Sequence, residues 1–192
     1  LYSYDAYQEG TKNYFTVKRR GFSEDLSICL NMPGKHNVLN ALAAIAIATE
    51  LEISDKAIGK ALKRFSGVGR RFEQLGHYNA ERGKALFIDD YGHHPCELTA
   101  TIQATRASFP HQRVVMIFQP HRYTRTRDLF NEFVEVLSSV DELLLLDIYS
   151  AGEEPIAGIS SQHLCDRINK VSRIKPTYVP NHEELPALLN RI

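Results

Sequence analysis

From Lys84 onward, short apolar runs alternate with segments of helical period, and this alternation constrains the fold more than any other feature of the chain. A strand over Ala85–Ile88 precedes a helix over Pro95–Ser108, with proline at its first turn. Val114–Phe118 precedes a helix over Arg127–Ser139, and Leu143–Ile148 (LLLLDI) precedes one over Ser161–Asn169. Thr177–Val179 precedes a last helix over Glu183–Asn190. Strands and helices in this order and of this length predict an α/β fold, a mostly parallel sheet covered by helices. The strand segments are continuous apolar runs, as expected where both sheet faces are buried.

The first third reads differently. Tyr14–Arg19 and Leu26–Asn31 are short, β-rich segments joined through a glycine. Asn37–Leu51 (NVLNALAAIAIATEL) is apolar nearly all round, which predicts a buried helix beginning near Lys35–Asn37, after the Pro33-Gly34 turn. Ser54 is placed to cap a second helix that runs to about Phe65. Gly67-Val68-Gly69-Arg70-Arg71 then breaks the helical pattern. It predicts a boundary or hinge between residues 1–67 and 68–192, which are expected to move as separate bodies. Phe72–Tyr78 reads as a strand and Asn79–Gly83 as a turn.

Composition removes several function classes. Lys+Arg and Asp+Glu balance at 23 each, so no bulk attraction to nucleic acid or to a membrane surface is expected. At 43% hydrophobic the chain can bury a real core, yet no run approaches the roughly 18 apolar residues of a membrane span. Cys29, Cys96 and Cys165 lie far apart with no CxxC spacing, against a disulfide framework or a structural zinc site and in keeping with a reducing cytoplasm. The chain starts at Leu1 rather than at Met, so a piece of a longer protein is expected.

Ligands of open α/β sheets bind outside the carboxyl ends of the strands. Three polar clusters fall at such ends: Asp89-Asp90-Tyr91-Gly92-His93-His94, Gln119 to Arg125 (QPHRYTR), and Asp147 to Glu153 (DIYSAGE). Each has an ordinary explanation beside the functional one. Asp89 or Asp90 is placed to cap the helix at Pro95. His93 and His94 serve equally as solvated loop residues, and their adjacent positions match no common metal spacing. Arginines at 122, 125 and 127 oppose the dipole of a helix start, which favours anions, so their stacking there points to a shared bound anion. Arg70 and Arg71, flanked by glycines that allow close backbone approach, suit phosphate or carboxylate. His36, Asn37 and Asn40 sit where the first helix begins, where Asn37 serves as cap and Asn40 as packing, or both contact a ligand. The sequence contains neither GxxxxGK[ST] nor GxGxxG, so the main cradle for nucleotide phosphates is expected elsewhere.

Five stretches, "PGKHNVLNALAAIAIA", "GVGRRFE", "DDYGHHPCEL", "FQPHRYTRTRDLF" and "LLLLDIYSAGEEPI", together resemble the bacterial Mur ligases, and most of all the branch that joins L-alanine to UDP-N-acetylmuramate. The resemblance covers essentially the whole chain in the right order. It implies that residues 1–67 are the tail of the central ATPase domain and residues 68–192 a Rossmann-like C-terminal domain. It also implies that the P-loop and the Mg2+-binding residues lie upstream of Leu1, and a further strand downstream of Ile192. The implied reaction uses ATP to phosphorylate the muramoyl carboxylate, after which the amine of L-alanine attacks the acyl phosphate, in peptidoglycan precursor synthesis.

By the same resemblance, His36, Asn37, Asn40, Arg70, Arg71, Asp89 and Asp90 bind ATP. Tyr91, His94, His121, Arg122 and Arg125 receive the amino acid, and Arg71, His94 and Arg122 serve catalysis. No metal site is expected within the chain, and the chain alone is expected to be inactive. Three other readings remain: a murein-peptide recycling ligase, whose members tend to carry Phe-Ala where this chain has Tyr91-Gly92; a metal-dependent hydrolase using Asp89, Asp90, His93 and His94; and a non-catalytic domain that borrows the fold.

Overall fold

The computed structural model describes residues 1–81 and 83–192, and Arg82, within the expected turn at Asn79–Gly83, lies outside the described residues. Backbone contacts divide the chain into two units, one of Leu1–Glu73 with Ala100–Gln112, the other of Gln74–Thr99 with Arg113–Ile192.

In the first unit, strands β1 (Tyr2–Glu9), β2 (Lys12–Lys18) and β3 (Leu26–Leu30) form an antiparallel sheet in the order β1-β2-β3. Alternation decides which face is inside. Asn13, Phe15 and Val17 of β2 point inward, as do Leu26, Ile28 and Leu30 of β3. Helices α1 (Lys35–Glu50) and α2 (Asp55–Arg64) close this core with Val38, Ala41, Ile45 and Ile58. Each of the larger apolar side chains here, such as Phe15, Ile28 and Ile45, contributes about 1.5–3 kcal/mol on burial. Strand β1 was not expected. Its sequence YSYDAYQE is exposed along most of its length, so no apolar alternation marks it, and pairing with β2 alone makes it a strand. Helix α1 buries Asn37, Val38, Ala41 and Ile45 but leaves Leu39 and Ile47 exposed, so it is a one-sided helix within this unit and not the buried one its composition predicts.

A half-buried ion pair ties the end of β2 to α2. Arg19 is 4% exposed, and both of its terminal nitrogens bind the Asp55 carboxylate, at 2.7 and 2.6 Å, while its guanidinium lies 4.1 Å from the Phe22 ring centroid. The hydrogen bond from Arg19 holds the Asp55 carboxyl below its ordinary range.

The second unit contains the expected parallel sheet. Strands β6 (Val115–Phe118), β7 (Glu142–Leu146) and β8 (Thr177–Val179) are parallel in the order β6-β7-β8. Leu144 and Leu146 pack with Val179 against helix α7 (Leu185–Arg191), and Leu143 and Leu145 are buried on the opposite face of the same strand. Burial on both faces is what permits a strand as uniformly apolar as LLLL. Helix α6 (Ser161–Val171) starts where Ser160 accepts from the His163 amide at 3.1 Å.

Two expectations are corrected. Strand β5 (Gly83–Asp89) does not join the parallel sheet but pairs with β4 (Glu73–Ala80) in a two-stranded sheet. A partner only a few residues away costs little loop-closure entropy, and the first half of β5 is exposed rather than buried on both faces. The single helix predicted over Arg127–Ser139 is two, α4 (Tyr123–Asp128) and α5 (Phe130–Leu137), broken at Leu129, whose φ is −114°. Helix α3 covers Pro95–Ser108, as expected. Among the described residues no helix is long and apolar enough to cross a membrane.

The Arg19–Asp55 pair gives a stability prediction. Asp55 is half-exposed, so Asp55→Ala should cost about 1 kcal/mol at neutral pH, between a surface ion pair and a buried charge-assisted bond. The folded-state value is lowered, so the contribution is fully present above about pH 4, the unfolded carboxyl value, and is lost as pH falls through the folded one. Urea unfolding of wild type and variant should show the gap at pH 7 closing in acid.

Candidate functional site

In the first unit, the turn before α1 is built by side chains. The buried Asn13 amide donates to the carbonyls of Met32 at 2.7 Å and Gly34 at 3.1 Å, and the Gly34 amide donates to Gln8 Oε1 at 2.9 Å. Gly34 has φ 88°, and a Cβ there would lie 2.6 Å from the His36 ring, so only glycine fits. Asn37 does not cap the helix. Its amide nitrogen donates to the Pro33 carbonyl at 2.7 Å, and Asn40 donates to Asn37 Oδ1 at 3.3 Å. His36, Asn37 and Asn40 thus share one helix start. Arg70 and Arg71 are exposed in a tight turn, with Arg70 at φ 58° and its amide bound to Glu73 Oε2 at 2.8 Å.

In the second unit, loops after β5, β6 and β7 converge. The parallel ladder continues past the strands: His121 pairs with Tyr149, the Arg122 amide donates to the Tyr149 carbonyl at 2.8 Å, and the Tyr149 amide to the Pro120 carbonyl at 2.8 Å. The loop after β5 is folded on itself. Asp90 Oδ1 accepts from the Gly92 amide at 2.8 Å and leaves no room for a side chain at Gly92. Glu97 reaches back from the first turn of α3, accepting from the amides of His93 at 2.9 Å and His94 at 3.1 Å.

These loops meet in a row of rings. Tyr91 lies 5.4 Å from His93 edge-on, His93 5.7 Å from His121, and His121 5.4 Å from Tyr149. His93, named at first only as a metal-ligand candidate, is therefore the histidine of the pair in ring contact with His121. His94 is turned toward Cys96, with its Nδ1 2.9 Å from the thiol sulfur. Spacing alone does not separate two adjacent histidines; their ring contacts do.

Arg122 and Arg125 stand beside this row. Arg125 donates to His121, at 3.2 Å both to its carbonyl and to its Nδ1. Arg122 is at φ 76°, and its guanidinium lies 3.8 Å from Glu153. Glu153 also accepts from the Thr124 amide at 2.9 Å and the Thr124 hydroxyl at 2.7 Å. The expected stack of arginines at a helix start is corrected: only Arg122 precedes α4, whereas Arg125 and Arg127 lie in its last turn, where the dipole favours cations, and the anion facing Arg122 within the chain is Glu153 from the next loop. The Thr124 bonds hold its carboxyl below the ordinary range, with Arg122 adding to the effect. Burial lowers the His121 value, and the charges of Arg125, His93 and Arg122 lower it further.

The arrangement offers two arginines, a histidine kept neutral and aromatic walls, a combination suited to a carboxylate-bearing ligand with a polar group beside it. Among the described residues no group of three or more His, Cys, Asp or Glu is placed to hold a metal ion. The hydrolase reading therefore has no ligand set among those residues.

A family model described as Mur ligase, glutamate ligase domain, matches residues 70–192. Of solved structures, UDP-N-acetylmuramate-alanine ligase MurC from Thermotoga maritima is similar at 28% identity and TM-score 0.75, over 93% of this chain and 37% of that one. Folylpolyglutamate synthase from Thermotoga maritima matches at 21% identity and TM-score 0.59, over 93% of this chain and 38% of that one. MurF ligase from Thermotoga maritima, in complex with ADP, matches at 15% identity and TM-score 0.61, over 99% of this chain and 40% of that one. The last two likenesses are of fold alone. The chain spans less than half the length of each of these proteins.

The electrostatics of His121 can be read directly. Its proton NMR titration should have a midpoint below the ordinary value of about 6.5, so that the ring is neutral at pH 7. Arg125→Ala should move the midpoint up without fully restoring it, because burial remains the larger cause. An unchanged midpoint in that variant would place Arg125 away from the ring in solution.

Proposed function

The chain belongs to the Mur ligase family, and from that premise we propose that it is part of an ATP-dependent amide-forming ligase that adds L-alanine to UDP-N-acetylmuramate in peptidoglycan precursor synthesis. Residues 68–192 are assigned to the C-terminal domain that receives the amino acid, and residues 1–67 to the end of the ATPase domain. The observation that carries the reading is the placing of two arginines just past β6, Arg125 bonded to His121 at 3.2 Å and Arg122 at 3.8 Å from Glu153. The 28% identity to an alanine-adding ligase over 93% of the chain supports the choice of amino acid.

The proposed chemistry follows in two steps. The γ-phosphoryl group of ATP is transferred to the muramoyl carboxylate. The amine of alanine then attacks the acyl carbon, the C–N bond forms, and phosphate leaves with the C–O bonding pair. Arg122 and Arg125 hold the alanine carboxylate, for which guanidinium forks are suited. His121, held neutral, adds no third charge to compete with the arginines for that carboxylate, and Tyr91, His93 and His94 line the approach. His36, Asn37 and Asn40 are assigned to the nucleotide base, Arg70 and Arg71 to its phosphates, and Asp89 and Asp90 to the ribose or to holding the loop. Binding of ADP by the Thermotoga maritima MurF ligase is in keeping with a nucleotide substrate. Mg2+ would accompany the phosphates, and no residue of this chain is assigned to it. A recycling ligase that attaches a preformed peptide is the second reading. Gly92 weighs against the Phe-Ala pattern of that branch, because a Cβ there would lie 2.9 Å from Asp90 Oδ1.

In the full-length parent, Arg122→Ala should weaken use of alanine by about 1–3 kcal/mol in transition-state terms, the scale of a charge-assisted hydrogen bond. The KM for ATP should change little. Steady-state phosphate release with each substrate varied in turn measures both, and unchanged alanine kinetics would remove Arg122 from the amino-acid site.

A further inference from the structure

Glu153 has no assigned role in the reaction described above. It is delivered by a turn whose two central residues, Ala151 and Gly152, are both left-handed, at φ 51° and 85°, with the Glu153 amide closing on the Ser150 carbonyl at 3.0 Å. Its carboxylate is pinned to the first turn of α4. One oxygen takes the Thr124 amide and the other takes the Thr124 hydroxyl. The oxygen that takes the hydroxyl also faces Arg122 Nη1 at 3.8 Å.

Arg122 is already fixed at its backbone. Its amide donates to Tyr149, and its carbonyl accepts from the Thr126 amide at 3.1 Å and the Thr126 hydroxyl at 2.8 Å. Those bonds hold a non-glycine residue at φ 76°, a conformation that persists only when its surroundings over-determine it. The side chain is another matter. It is half-exposed and carries large rotamer freedom, which a carboxylate ligand must quench on binding. The neighbouring Arg125 has its own anchor on His121, so the two cations are held by different partners.

We propose that Glu153 is a positioning residue: through its ion pair it sets the Arg122 guanidinium for the carboxylate of the incoming amino acid, while Thr124 holds Glu153 in place. The proposal rests on the reading of Arg122 as a partner of that carboxylate. Contact at one edge of the guanidinium leaves other N–H donors for the substrate. Charge and orientation make opposite forecasts here. Glu153 cancels part of the positive charge of Arg122, so if charge alone governed binding, its removal would lower the amino-acid KM. If orientation governs, removal raises it.

The test uses the full-length parent with Glu153→Gln, Glu153→Ala, Arg122→Ala and the double variant Arg122→Ala/Glu153→Ala. Glu153→Gln keeps an acceptor for Thr124 but weakens the ion pair. Both Glu153 variants should raise the amino-acid KM about tenfold, with kcat within about twofold and the KM for ATP unchanged. The double variant should be no worse than Arg122→Ala, since a residue acting through Arg122 has nothing to act on without it. Additive effects, a lowered amino-acid KM, or a Glu153→Gln enzyme equal to wild type beside an unstable Glu153→Ala would each overturn the proposal. If Arg122→Ala itself left the amino-acid KM unchanged, the reading of the site would fall, and this proposal with it.

Discussion

The site depends on a parallel ladder that does not stop where its strands do. Strands β6 and β7 pair through Phe118 and Leu145, and the chains meet again at His121, three residues on, and Tyr149, four residues on. Two backbone bonds of 2.8 Å carry the ladder across this gap. Because of them, the backbones of Pro120, His121, Arg122 and Tyr149 are tied together just beyond the sheet. The His121 and Tyr149 rings stand on that backbone, and His93 and Tyr91 extend the row of ring contacts from the loop after β5. The ladder in turn rests on burial. Leu143 to Leu145 are wholly inaccessible, so β7 cannot slide against its neighbours without exposing apolar surface.

Charge in this region is arranged in pairs rather than left diffuse. Arg122 faces Glu153, and Arg125 faces His121. The second contact places a cation against a ring that burial already keeps neutral, and the two effects reinforce each other. In the first unit a comparable economy holds the turn before α1. One buried asparagine, Asn13, satisfies two carbonyls that would otherwise be stranded beside Gly34.

Periodicity and composition made much of this legible. The LLLLDI run, the short strand Thr177–Val179 and the helix Pro95–Ser108 were readable because each signal is local. Strand β1 was hidden, since an exposed strand carries no apolar alternation, and only its partner β2 specifies it. The break at Leu129 was hidden as well, because an apolar residue in a helical pattern gives no sign of a backbone that leaves the helix. The polar clusters at Asp89–His94 and Gln119–Arg125 were visible as clusters. What could not be read was which members face each other. His93 meets the His121 ring while His94 turns to Cys96, and adjacent positions in sequence carry no sign of that division. Glu153 was visible only as one member of a polar loop, and its role depends on a contact with Thr124, 29 residues distant in sequence.

The proposed role of the loops at the ends of β6 and β7 is to receive a small amino acid whose amine is joined to a muramoyl carboxylate. It is tested most directly by giving the full-length parent ATP and UDP-N-acetylmuramate and measuring phosphate release with a panel of amino acids and peptides, with the amide product identified by mass. The account predicts release dependent on L-alanine and formation of the alanyl amide. Release that instead requires glutamate, a diamino acid or a preformed peptide, with L-alanine inert, would contradict it.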